Sequence, residues 1–187
     1  MAEFFILEQE ILLPDLPTLG PLPKNIDPLE FLAGKKLSRL PARIDLVLTS
    51  DSGAFRPDLI TYLLPLFSQR IKEALDAFGI DNIDYCPTRL LSESGKEDLN
   101  KYWLANILGA FACVDLEKSD AKPYPLGEGL YKIGSFVINE QKTMGQALFR
   151  LAEKPRLIII NEALKERLEQ LDLKGVRLRN TREYDGY

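Results

Sequence analysis

Leu148-Phe149-Arg150-Leu151, Leu157-Ile158-Ile159-Ile160-Asn161 and Leu164-Lys165-Glu166-Arg167-Leu168 lie within the most legible part of the chain, Tyr131 to Arg182. The two short apolar runs read as strands, the second opened by Pro155. Asn161 stands at a helix N-cap position, and Leu164, Leu168 and Leu171 recur at i, i+4 and i+7. Gly175 is placed to stop that helix before a last strand, Val176-Arg177-Leu178-Arg179. Upstream, an alternating run from Tyr131 to Asn139 reads as a strand that leads through Gly145 into the first apolar block. This order of strands and helix makes an α+β unit, and no catalytic constellation falls inside it. Binding fits such a unit better than turnover.

Working outward, Arg43-Ile44-Asp45-Leu46-Val47-Leu48-Thr49 alternates as a strand, closed by Ser50-Asp51-Ser52-Gly53. A helix is expected from Leu64 to Phe78, with Pro65 in its first turn. Leu66, Phe67, Ile71, Ala74, Leu75 and Phe78 form its buried stripe, and Gly79 sits at the C′ position. Ile80-Asp81-Asn82 then turns into a second strand, Ile83 to Cys86. Ser92 to Asn100 reads as a polar surface loop and Ser119 to Gly129 as a loop, while Trp103 to Val114 fits a helix or a buried strand pair, with Asn106 and Gly109 weakening the helix so that β structure with a bend is favoured. Six of the twelve prolines lie in the first 43 residues, interleaved with leucines. That segment is expected to run extended, with Phe4-Phe5-Ile6-Leu7 adding an edge strand and Leu29 to Leu32 a short helix capped by Asp27. The fold class is therefore α+β. A mixed or antiparallel sheet carries a few packed helices, with a proline-rich arm (residues 1–43) packed on the body (residues 44–187).

The chain of 187 residues contains no histidine, which removes Ser-His-Asp and Cys-His nucleophilic catalysis together. Cys86 and Cys113 are the only cysteines and sit among apolar neighbours, so buried free thiols are expected and no zinc-ligand set exists. No run approaches the roughly 20 apolar residues of a membrane span. The first residues lack the basic segment and cleavage site of a signal peptide, so a cytoplasmic protein is expected.

Charge is uneven. Residues 1–141 carry 14 basic and 21 acidic side chains, whereas residues 142–182 carry 10 basic and 5 acidic. An acidic body suits a cationic partner, because opposite fields steer encounter. The basic third interleaves its charges with acids on the predicted helix, which reads as a salt-bridged face rather than a track for nucleic acid. Gly127-Glu128-Gly129 precedes a strand, and Gly53-Ala54-Phe55 lacks a following Lys-Ser/Thr, so neither is a phosphate loop. Asp115, Glu117 and Asp120 are spaced for a cation or for acid–base work, but Lys118 stands among them. Surface acids or a partner contact describe them better. The closing Tyr184-Asp185-Gly186-Tyr187 reads as an ordered aromatic tail or, as termini usually are, a frayed end, with a role as interface anchor also open.

Several blocks in order carry a resemblance. They are Ile44-Asp45-Leu46-Val47-Leu48-Thr49, Phe67-Ser68-Gln69-Arg70-Ile71-Lys72 with Asp81-Asn82-Ile83, and Tyr102-Trp103-Leu104-Ala105-Asn106. After them come Val114-Asp115-Leu116-Glu117-Lys118-Ser119, Leu148-Phe149-Arg150-Leu151, Ile158-Ile159-Ile160, Leu164-Lys165 and Gly175-Val176-Arg177. Over about residues 44 to 182 the chain resembles the immunity-protein family numbered eleven, from bacterial polymorphic-toxin and contact-dependent competition systems. The resemblance implies a cytoplasmic antidote that binds and neutralises a cognate toxin, with no cofactor and no turnover.

Joined to the acidic body, it points to occlusion of a toxin's active surface, a basic nuclease domain being the partner that fits best. Direct contact with nucleic acid or membrane is not expected. The acidic candidates for toxin binding are Asp81, Asp84, Glu93, Glu97 and Asp98, followed by Asp115, Glu117 and Asp120. Two alternatives remain: an adaptor or regulatory binding protein, and an enzyme using carboxylates or lysine without histidine.

Overall fold

The computed structural model describes residues 2–124 and 131–186, so the readings made for Gly127-Glu128-Gly129 and for Tyr187 fall outside the described residues. In chain order the elements are β1 (Phe4–Gln9), β2 (Ile44–Val47), β3 (Leu59–Ile60), β4 (Leu66–Ser68) and α1 (Gln69–Phe78). They continue with β5 (Ile83–Leu91), β6 (Tyr102–Ile107), β7 (Ala110–Phe111), β8 (Ala121–Pro123) and β9 (Tyr131–Ile133). The last are β10 (Leu148–Leu151), β11 (Ile158–Asn161), α2 (Glu162–Glu169) and β12 (Val176–Asn180), with short 3-10 turns between several of them. The class is α+β, with mixed sheets.

One five-stranded sheet has the order β12-β1-β11-β10-β7, and a second has the order β2-β5-β6-β4-β3. Both are antiparallel except for one parallel pair each, β10 with β7 and β2 with β5. β8 and β9 form a separate two-stranded ribbon.

The burial of both sheets on both faces explains the unbroken apolar runs. On one face of each sheet, Phe5, Leu7, Ile158 and Ile160 meet Phe67, Ile83, Ala105 and Ile107, with Ile71, Leu75, Leu164 and Leu168 of the two helices between them. The other face of the first sheet, carrying Phe4, Ile6, Phe149 and Ile159, packs on Cys113, Phe136 and Tyr184. The other face of the second sheet, carrying Leu46, Leu66, Leu90 and Leu104, is covered by Leu19, Ile26 and Phe31 from the proline-rich segment. Ile158-Ile159-Ile160 is therefore apolar throughout because successive side chains enter two different cores. Among the described residues, no helix is long and apolar enough to cross a membrane.

Several sequence expectations need correction. Phe4 to Leu7 do not form an edge strand: β1 lies between β11 and β12, antiparallel to both. β11 and β12 consequently run parallel to each other, joined by α2, and β1 fills the gap between them. Leu66 and Phe67 are not helical. They pair with Leu104 and Trp103 of β6 and point into opposite cores, and α1 starts only after Ser68, whose hydroxyl accepts from Ile71 N. The strand expected to end at Cys86 runs on through Pro87 to Leu91. Pro87 is tolerated because β2 pairs with β5 only from Thr88 onward, leaving that flank open at the proline.

Ala121 to Pro123 form a strand where a loop was expected, and the Tyr131 to Asn139 strand stops at Ile133. α2 ends at Glu169, before Gly175, and the chain then turns through Asp172 and Gly175, both at positive φ. Tyr184 is not frayed: it is buried, stacked edge-on against Phe136 with Arg179 over its ring.

Other expectations hold. Asn161 Oδ1 caps α2 by accepting from Leu164 N and Gly79 closes α1 in the left-handed conformation, whereas the short turn at Glu30–Leu32 has Leu29, not Asp27, at its N-cap, with Asp27 Oδ1 accepting from Leu29 N just before it. Gly109 makes the bend between β6 and β7, and both cysteines are free and buried. The Lys165–Glu169 pair (2.8 Å) shows the salt-bridged face expected on α2.

Candidate interaction surface

The acidic candidates occupy three separate places. Asp81 is exposed in the turn after α1, and Asp84, three residues on, is half-buried on β5 opposite Asn106. Glu93, Glu97 and Asp98 lie beyond the other end of β5, a nine-residue strand about 30 Å long at its usual rise. Asp115, Glu117 and Asp120 belong to the 3-10 turn and chain that lead into β8.

Many of these carboxylates already have partners inside the molecule. Glu93 accepts from Ser50 N at 3.1 Å, and Glu97 pairs with Arg89 at 3.2 Å. Asp98 takes Arg56 Nε at 2.6 Å and both the backbone and amide nitrogens of Asn100. Burial pushes the Asp98 carboxyl up, but those Asn100 and Arg56 donors outweigh it and hold the pKa below its ordinary value. Asp115 pairs with Lys118 at 2.7 Å, and that hydrogen bond holds its carboxyl low. Among the described residues no group of three or more acidic or cysteine side chains is arranged to hold a metal ion.

Of the eight, Asp120 lines a cleft of about 910 Å³. The cleft opens between Leu29–Ala33, the β8–β9 ribbon, the turn joining β10 to β11 and the chain at Asp185–Gly186. Its charged lining is mixed: Lys122, Lys132, Lys154 and Arg156 stand with Asp120, Glu153 and Asp185. Tyr124 is a half-exposed aromatic on this wall. Lys154 donates to Gly186 O at 3.0 Å and lies over the Tyr184 ring, and burial lowers its pKa. Glu153 is buried, accepting from Val114 N at 2.9 Å through Oε1.

The sequence reading assigned the basic character of the last third to the face of a helix. Lys154 and Arg156 instead come from the β10–β11 turn and face the cleft, where residues from the first 33 positions form the opposite wall. Arg150 was read only as part of a strand. Its signal was nevertheless present, since a lone arginine inside Leu-Phe-Arg-Leu becomes a buried charge once that strand is covered on both faces.

Residues 6–183 match the family described as Immunity protein family (Imm11). The chain belongs to this immunity protein family. The match begins at residue 6, not near residue 44 as the resemblance suggested, and takes in the proline-rich segment. No curated protein matches the chain. Among the described residues, the matched span of this immunity protein contains β2 to β12, both helices and all of β1 but Phe4 and Phe5, and all described walls of the cleft except Asp185 and Gly186.

Proposed function

We propose that this immunity protein binds a cognate bacterial toxin domain and neutralises it by covering its active surface. The observation that carries this reading is family membership over residues 6–183. The cleft supports it physically. It is wide, and exposed Tyr124 stands on its walls with Arg156, residue types enriched at partner contacts.

In this reading the protein acts without turnover, in the cytoplasm of the cell it protects. A nuclease domain is the toxin class we favour. The carboxylates Asp81, Asp84, Glu93, Glu97, Asp98, Asp115, Glu117 and Asp120 then act by steering a basic toxin toward the acidic body. Their scattered placement suits a long-range field better than a single contact patch.

A survival assay tests the reading. The toxin domain encoded beside this gene is expressed in a bacterial host with and without this chain, and any complex is purified. Rescue with a stoichiometric complex is the expected result. Rescue without a complex would replace occlusion with enzymatic reversal of damage, and absence of both would overturn the immunity reading.

A further inference from the structure

Among the described residues Arg150 is the largest fully buried side chain, 1% exposed on β10. Its neighbours in the sheet are Ile158 on β11 and Ala110 on β7, neither of which offers a charge. Nη1 donates to Pro155 O at 2.9 Å, while Nε has no hydrogen-bond partner among the described residues. No ion pair to Arg150 exists among them either. The contrast with Arg179 is sharp, since that buried guanidinium pairs with both Glu8 and Asp185. Burial lowers the pKa of Arg150 to about 10, which still leaves it charged at neutral pH. A buried charge without a counter-ion is unfavourable, and an anion supplied from outside relieves it.

Arg150 lines a second, smaller cavity of about 120 Å³. One wall of this cavity is Pro28, Leu29 and Leu32, and the other runs from Thr61 to Pro65. Arg156 adds a second cation, and Leu29, Leu32 and Arg156 also line the large cleft, so the two cavities are neighbours. The volume equals about four water molecules, enough for a carboxylate and its methylene but not for a drug-sized molecule. Leu29 and Tyr62 beside it are 66% and 76% exposed, large apolar groups with nothing over them.

We propose that this pocket receives an acidic side chain of a protein partner, whose carboxylate becomes the counter-ion of Arg150 while Leu29 and Tyr62 pack against the apolar residues flanking it. Charge complementarity selects the anion, and the exposed leucine and tyrosine select a protein, because a free inorganic anion makes no use of them. This inference rests on the toxin-binding reading and identifies a contact within it. It also adds a positive contact point to a surface otherwise considered for its acids.

Two measurements test it. In the first, Arg150→Met and Arg150→Lys are titrated with the cognate toxin domain, with thermal unfolding run alongside. Arg150→Met is expected to fold with an unchanged or higher Tm and to bind about thirtyfold or more weakly, while Arg150→Lys retains part of the affinity. Unchanged affinity of a folded Arg150→Met variant would overturn the proposal and leave the immunity reading standing.

The second measurement does not involve the toxin. The Arg150 Nε–Hε resonance of the unaltered protein is followed during titration with N-acetylglutamate and, separately, with inorganic phosphate. A saturable shift with N-acetylglutamate is the expected outcome. A shift with phosphate alone would replace the carboxylate with a phosphate group, and no shift with either would make Arg150 a closed structural cation. If N-acetylglutamate shifts the resonance while the protein neither binds nor neutralises the toxin, the immunity reading fails and the pocket survives.

Discussion

Asp58 Oδ1 accepts a 2.6 Å hydrogen bond from Ser68 Oγ, and the same hydroxyl accepts from Ile71 N as the N-cap of α1. The backbone repeats the link, with Ser68 N donating to Asp58 O at 2.8 Å. The second oxygen of Asp58 accepts from Arg70 Nη1 at 3.0 Å and from Lys174 N at 2.7 Å, while Arg70 Nη2 donates to Leu171 O. One buried carboxylate thus ties the start of α1 to the turn between α2 and β12. The two helices are held in register by this network as well as by their shared apolar core.

Ser68→Ala removes the cap and one donor to Asp58, and should lower stability by about 1–2 kcal/mol. Asp58→Ala leaves Lys174 N and Ser68 Oγ without their acceptor while half-exposed Arg70 returns to water, and should cost about 2–3 kcal/mol. Denaturant unfolding of the two variants and of the double variant measures both. The double variant should fall well short of the sum, because the two residues share one network.

Ile6 is fully buried and pairs with Ile159 on one side and Arg179 on the other. Ile6→Ala should cost about 2–5 kcal/mol by leaving a cavity. Deleting residues 1–9 exposes the inner edges of β11 and β12 together. The truncated chain should lose its cooperative thermal transition, as followed by circular dichroism.

Asp98 supplies a pH dependence. Its pKa in the folded protein lies below the ordinary 3.8, so its stabilising contribution is full above that value and is lost as pH falls through the folded one. The parent should therefore unfold at a higher temperature than Asp98→Asn at pH 6. That advantage should shrink once the pH drops below about 4. An equal difference at pH 6 and pH 3 would show that Arg56 and Asn100 do not hold the charge as the geometry implies.

Cys86 and Cys113 are buried, and burial pushes the Cys113 thiol up to about 12. Neither should react with a chromogenic disulfide reagent at pH 8 in the folded protein, and both should react after unfolding in guanidinium chloride. Rapid labelling of either in the native state would contradict this packing.

A β-carbon on Gly53 would lie 2.0 Å from the backbone of Asp15, while Gly53 N donates to Leu16 O at 3.1 Å. Gly53→Ala should cost about 3 kcal/mol by forcing the proline-rich segment away from the body. Thermal unfolding measures the loss. The glycine that fails as a phosphate loop is thus required by the close approach of another part of the backbone.

The last third was the easiest part to read. Leu148 to Leu151, Ile158 to Asn161, the Asn161 cap and the α2 leucines all depend on short-range rules, namely side-chain periodicity and capping. Leu66-Phe67 misled because two adjacent apolar residues fit a helical stripe as well as a strand buried on both faces. Pairing with β6, far off in sequence, selected the strand. β1 misled for the same reason, since its position depends on strands more than 140 residues away. In the site, the acids were visible as charge runs, but the described cleft walls come from residues 29–33, 120–124, 131–134, 153–156 and 185–186, which no local pattern joins.

The sequence by itself determined the α+β class, the helix starts and stops set by Asn161 and Gly79, the buried thiols and the absence of any histidine chemistry. Each depends on residue type or on spacing within one or two turns of chain. Tertiary structure alone decided that β1 is central, that the proline-rich segment caps a core, and that Arg150 lies buried beside a pocket with no ion pair among the described residues. Those outcomes follow from which distant surfaces exclude water together, and burial converts an ordinary strand arginine into a charge in need of a partner.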